Sequence, residues 1–95
     1  DFYYYIRVKN QTSKIYFELG EYESLLSLLD TFRHYLVSTP TIPDFIRTRF
    51  VDYTIFLAKA VHARLAENNF MLNKIKEEVA TAPVFENKAW LLENL

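Results

Sequence analysis

Asp30 and His34 stand four residues apart, and in a helix that spacing sets a carboxylate beside an imidazole on one face. Such a pair can move a proton or help hold a metal, with His62 as the one further imidazole. A surface ion pair is the simpler reading. No second carboxylate–His pair, no Cys, no Gly-rich loop and no nucleophile elbow accompanies it. Glu18, Glu21 and Glu23 form a second acidic group, and paired carboxylates can serve as acid and base. These three flank Gly20, so they sit at the tip of a turn rather than in a cleft. There they solvate the tip and suit the positive end of the following helix. Arg47, Arg49, Lys59 and Arg64 are the basic residues of a third segment. At about 100° per residue, Arg47 and Arg49 point in nearly opposite directions, which is not a phosphate-tracking stripe. The spacing therefore predicts no catalytic, cofactor-binding or metal-binding residue. An enzyme, the remote alternative, needs a polar pocket that couples His34 or His62 to a carboxylate.

Composition narrows the remaining classes. The hydrophobic fraction of 51% and net charge of −1 exclude a disordered chain. The near-neutral balance also argues against nucleic acid, whose phosphates call for a clear positive excess. With no Cys there is no disulfide framework, which leans towards the cytoplasm. No apolar run approaches the roughly 18 residues of a membrane span. The chain starts at Asp1 rather than Met and reads as a single domain, residues 1–95, cut from a longer protein.

The apolar period is helical between sparse breakers: Gly20, Pro40, Pro43 and Pro83. A first helix is predicted over Phe2–Leu19, with Ile15, Tyr16 and Leu19 on its packed face and Gly20 as its stop. Its strand-favouring start, Phe2 to Ile6, leaves a hairpin turning between Lys9 and Ser13 as the rival. The second helix, Glu21–Val37, carries the clearest stripe: Tyr22, Leu25, Leu26, Leu29, Phe32 and Leu36, widened by Leu28 and Tyr35. A connection as short as Gly20 implies an antiparallel helical hairpin. Thr41 is expected to cap a third helix, Pro43–Ala66, with Pro43 in its first turn. Ile46, Phe50, Tyr53, Leu57, Val61 and Leu65 form one of its stripes. Phe45, Phe56, Ala60 and Ala63 form another, so this helix is packed on two sides. Asn68 or Asn69 caps a fourth helix with Phe70, Leu72, Ile75 and Val79 inward. A fifth helix carries Phe85, Ala89, Leu92 and Leu95, with Trp90 and Leu91 alongside.

Leu25, Leu28 and Phe32 recur at one constant offset as Leu72, Ile75 and Val79, a sign of two stacked helix–turn–helix units. The run Tyr16-Phe17-Glu18-Leu19-Gly20-Glu21-Tyr22-Glu23 resembles the turn of a tetratricopeptide repeat. There a hydrophobic residue and Gly end the first helix and an aromatic residue opens the second. The resemblance implies hairpins stacked into a short right-handed superhelix of four to five helices. Leu25 departs from it, since the motif prefers a small Ala there. The offset also exceeds the family's period of about 34 residues, and the second unit lacks the Gly. The whole chain, including Lys88-Ala89-Trp90-Leu91-Leu92-Glu93, further resembles the C-terminal part of uncharacterised helical-repeat proteins of Bacteroidetes.

An all-α chain of stacked hairpins is expected to act as a protein-interaction or scaffold module. Its groove, lined by the first and third helices, would hold a protein or peptide through Tyr5, Lys9, Arg49, Tyr53 and Arg64. Seven Tyr exceed what one small core absorbs easily, and Tyr is favoured at interfaces. The apolar run Phe2, Tyr3, Tyr4, Tyr5 and Ile6 predicts self-association. The alternative is a terminal structural cap of a longer solenoid, with no binding role of its own.

Overall fold

The Asp1 carboxylate accepts the Tyr3 backbone N–H at 2.7 Å, so the first helix has its cap at the first residue. A computed structural model describes all 95 residues, Asp1 to Leu95, as five α-helices with no strand. They are α1 (Phe2–Leu19), α2 (Tyr22–Ser38), α3 (Asp44–Leu65), α4 (Asn69–Thr81) and α5 (Lys88–Asn94). The rival hairpin near the start is thus replaced by an unbroken helix. Its aromatic start is held by packing rather than propensity. Ile6 is buried, and Tyr5 stacks on Tyr35 of α2 at 3.9 Å between ring centres.

Consecutive helices pack against one another. Tyr5 meets Tyr35 at one end of the first hairpin and Phe17 meets Tyr22 at the other, so α1 and α2 run antiparallel. Phe32 against Phe50 and Tyr22 against Arg64 fix α2 and α3 in the same way. The result is a stack of helical hairpins.

Both hairpins close by one motif. Gly20 takes φ 73°, its N–H donates to the Phe17 carbonyl, and the Glu21 N–H donates to Tyr16. This is a Schellman closure, and the left-handed residue suits Gly. In the second turn Glu67 takes φ 52°, its N–H donates to Arg64, and the Asn68 N–H donates to Ala63. The turn lacking Gly is therefore the same turn with a side chain in the left-handed position. Asn68 caps α4 by accepting the Met71 N–H at 3.0 Å, as expected. Thr41 does not cap α3. It is exposed, and Pro43 holds the N-cap position with no side-chain bond.

The connection from α2 to α3 is held instead by Arg47. Its guanidinium donates to the carbonyls of Leu36 (2.8 Å), Thr39 (2.9 Å) and Ile42 (2.9 Å), and to the Asp44 carboxylate at 2.6 Å. The last turn of α2 leaves carbonyls without helical partners, and Arg47 supplies the donors.

The core lies in two clusters. A larger one gathers Phe17, Leu25, Leu29, Tyr53, Leu57, Ala60, Val61, Ala63, Ile75, Val79, Phe85 and Leu91. A smaller one joins Ile6, Phe32, Leu36 and Ile42 at the other end of the first hairpin. The stripe read for α2 is the packed one. On α1 the packed face is Ile6, Ser13 and Phe17, while Ile15 and Leu19 face solvent. On α3, Phe45 and Leu65 are exposed. Helix α5 begins later than expected. Leu91 is its buried residue, Ala89 is exposed, and Phe85 packs from the preceding extended run.

Candidate interaction surface

The face shared by α1 and α3, expected to be an open groove, is filled by the chain's own last residues. Phe85 stacks on Phe56 of α3 at 5.0 Å. The Glu86 N–H donates to the Arg49 carbonyl at 3.3 Å, and the Asn87 amide donates to the Asn10 side chain on α1. Trp90 sets its ring edge-on to Phe17 at 5.4 Å and to Tyr53 at 6.5 Å. Lys14 of α1 lies 5.8 Å over the Trp90 ring. Arg64 of α3 donates to the Asn94 carbonyl and to the Tyr22 hydroxyl, and its guanidinium lies 4.9 Å from the Phe17 ring. Apolar surface at the head of each hairpin is thereby covered without a second molecule.

The five expected contact residues part company here. Tyr53 is fully buried, which removes it from any surface. Its hydroxyl shares a 2.6 Å hydrogen bond with Ser13, whose own hydroxyl also donates to the Asn10 carbonyl. Arg64 is half-buried and bound to chain atoms. Tyr5 and Lys9 belong to one contact, with the Lys9 ammonium 5.1 Å over the Tyr5 ring. Arg49 remains exposed. They do not form one surface. The expected self-association run changes too. Ile6 is buried, Phe2 and Tyr5 are half-buried, and only Tyr3 and Tyr4 are exposed.

Burial pushes the Tyr53 phenol up from 10.0 to about 12, against the lowering effect of the Ser13 hydrogen bond. The unfolded chain loses this proton near its ordinary pKa, while the folded chain keeps it to higher pH. Folding stability is therefore unaffected by this group below pH 10, and falls by about 1.4 kcal/mol per pH unit from there towards pH 12. Urea unfolding at a series of alkaline pH values measures that slope. Tyr53→Phe should flatten it, and an unchanged slope in the variant would sink the assignment.

The carboxylate and imidazoles first singled out for chemistry lie on α2 and α3. His34 Nδ1 lies 3.6 Å from the Asp30 carboxylate, and both side chains are more than half exposed. Asp30, Arg33, Thr54 and His62 line a cleft of about 280 Å³ between α2 and α3. His62 also borders a second cleft, about 390 Å³, beside Lys59, Lys74 and Glu78. No group of three or more His, Asp or Glu side chains gathers where it could hold a metal ion. No helix is long and apolar enough to cross a membrane.

One unpartnered feature is the outward face of α1. Tyr4 (67% exposed), Val8 (42%), Ile15 (52%) and Leu19 (69%) recur at helical spacing, directly opposite the buried Ile6, Ser13 and Phe17. Gln11 and Thr12 complete the strip. Arg7 lies beside it, in a shallow depression of about 440 Å³ shared with Tyr4, Val8, Gln11 and Thr12. Sequence reasoning took half of this strip for the packed face. Both faces of α1 carry apolar residues at the same period, so periodicity alone does not choose between them. No protein-family model, no curated protein and no solved structure matches this chain, which leaves its own surfaces as the ground for a functional reading.

Proposed function

We propose that this chain is a protein-interaction module that docks a helix along the outward face of α1. The exposed strip Tyr4–Val8–Ile15–Leu19 carries the reading. Exposed apolar residues repeated along one helix face mark an interaction site, and helix-on-helix packing uses anchors at helical spacing. Helix α1 packs on α2 through its inner face and meets Tyr53 of α3 and Trp90 of α5 from that side, which leaves the strip without a covering helix. The matching Schellman turns at Gly20 and Glu67 support a repeat of the tetratricopeptide kind, in which such a face takes the neighbouring helix.

A terminal cap of a longer helical stack is the second reading. It draws on the asymmetry between the two ends. Save for Phe70 and Met71 in its first turn, the exposed positions of α4 are mainly polar: Asn73, Lys74, Lys76, Glu77, Glu78 and Thr81. Capping repeats turn a polar face outward. In that case the strip on α1 is covered by a helix of the same polypeptide. The readings separate on whether a longer natural chain leaves the strip open to an added helix.

The test uses a labelled amphipathic peptide with a leucine face and glutamine flanks, followed by fluorescence anisotropy. Saturable binding is expected. Replacing Val8 and Ile15 together by Asp should weaken it by about tenfold or more, since central apolar anchors dominate such contacts. Both positions are exposed, so the double variant keeps its fold, which circular dichroism checks. No binding by the parent chain would end the proposal.

A further inference from the structure

We propose that the segment from Phe85 to Leu95 exchanges between two copies of this chain, each copy laying it into the groove between α1 and α3 of the other. This goes beyond the docking reading and leaves the outward face of α1 free. The fold itself shows what fits the groove. Phe85 lies on Phe56, the Glu86 N–H donates to the Arg49 carbonyl, Trp90 stands edge-on to Phe17 and Tyr53, and Arg64 holds the Asn94 carbonyl. A second copy presents the same groove and carries the same segment. Each of these contacts therefore re-forms across two molecules, and exchange asks for no new complementary surface.

The connection ahead of Phe85 is free to swing. Ala82 ends α4 in an extended conformation (φ −69°, ψ 153°), the one favoured before a proline. Pro83 has no N–H, the Val84 and Phe85 N–H groups donate to no carbonyl, and Val84 is 68% exposed. Redirecting this run breaks no backbone hydrogen bond within it. Lys88, which donates to the Ala80 and Ala82 carbonyls, ties the segment to the end of α4, whereas Asn87 bonds to Asn10, 77 positions back. Helix α5 has seven residues, so it takes its shape from the groove it lies in. Closed and exchanged forms share these contacts, and chain concentration decides between them. A short tether holds its end at an effective concentration of about millimolar, which keeps the chain closed at micromolar concentration and lets exchange compete at millimolar.

Two single-cysteine chains make the test, since the protein has no Cys of its own. Arg49→Cys and Glu86→Cys meet at a backbone contact, and neither side chain belongs to an ion pair, so both variants keep the fold. Equal amounts are unfolded, refolded together and treated with a short bis-maleimide. In closed chains the two thiols sit on different molecules and stay apart. Exchange sets them side by side, and a link between positions 49 and 86 of two chains is expected. Its yield should rise about tenfold or more as the chain goes from about 10 μM to about 1 mM. Deleting Val84 takes about 3.3 Å from the connection, which hinders closure within one chain and should bring the linked dimer to the lower concentration. If that shorter chain does not fold, the mixture of full-length chains still decides. No link between positions 49 and 86 at the higher concentration overturns the proposal. So does a dimer, seen by light scattering, that forms without that link, because its contact then lies on another surface.

Discussion

Replacing Leu25 by Ala is expected to lower the melting temperature by about 10 to 25 °C. Leu25 is fully buried in the larger core cluster, together with Phe17, Leu29, Tyr53, Leu57 and Val61. Truncating a leucine in such a place costs the transfer of its side chain plus the cavity it leaves, about 2–5 kcal/mol together. A domain of this length holds only about 5–14 kcal/mol in total, so the loss is a large share. The position also separates two accounts of the fold. The tetratricopeptide pattern favours a small residue here, and on that pattern alone Ala would be harmless or stabilising. The packing around α2 says the opposite. Calorimetry decides, and a variant that melts with the parent would show that the helices close on each other differently from the arrangement described.

Arg47→Met should destabilise the chain by about 3–4 kcal/mol, although it retains most of the apolar stem and removes only the guanidinium. Four hydrogen bonds leave at once, three of them to carbonyls at the end of α2 and in the following connection. Each carbonyl loses a charged donor in a half-buried place, and donors of that kind contribute more than neutral ones. Arg47→Lys is expected to recover less than half of the loss. An ammonium is a compact charge that cannot reach Leu36, Thr39 and Ile42 together, whereas the planar fork does. The Asp44 contact adds little, because that carboxylate is almost wholly exposed. Urea midpoints of the three proteins give the ranking. Full rescue by Lys would mean that charge rather than geometry holds this connection.

Helix α2 was legible in the sequence because one face alone carries its apolar residues, so the 3.6-residue period has a single solution. Leu25, Leu29, Phe32 and Leu36 are its buried residues. Helix α1 offered two solutions. The true inner face includes Ser13, a hydroxyl that becomes acceptable in the core only because Tyr53 and Asn10 give it partners. Those partners lie on another helix and on the preceding turn, beyond the reach of a hydropathy pattern. Arg47 was hidden for a similar reason. Its acceptors are backbone carbonyls, which every sequence has, and only the angle between α2 and α3 aims them at one guanidinium. The expected groove failed on Trp90 and Phe85. Their hydrophobic character was plain, but nothing local told which helices they would cover. The hairpin turns were legible at Gly20 and obscured at Glu67, where the same backbone shape is carried by a residue that gives no signal.

The last helix lying against the first sets the order of events during synthesis. Asn87 reaches Asn10, Trp90 reaches Phe17, and Arg64 waits for the Asn94 carbonyl. The first two pairings join residues more than 70 positions apart, so they raise the contact order of a fold built mainly from helices packed on their neighbours in sequence. A nascent chain that has emerged only as far as α4 holds a completed pair of hairpins with Phe17 and Phe56 uncovered. Until residues 85–95 clear the ribosome, that aromatic surface is open to other chains, and chaperone capture and misassociation compete with closure.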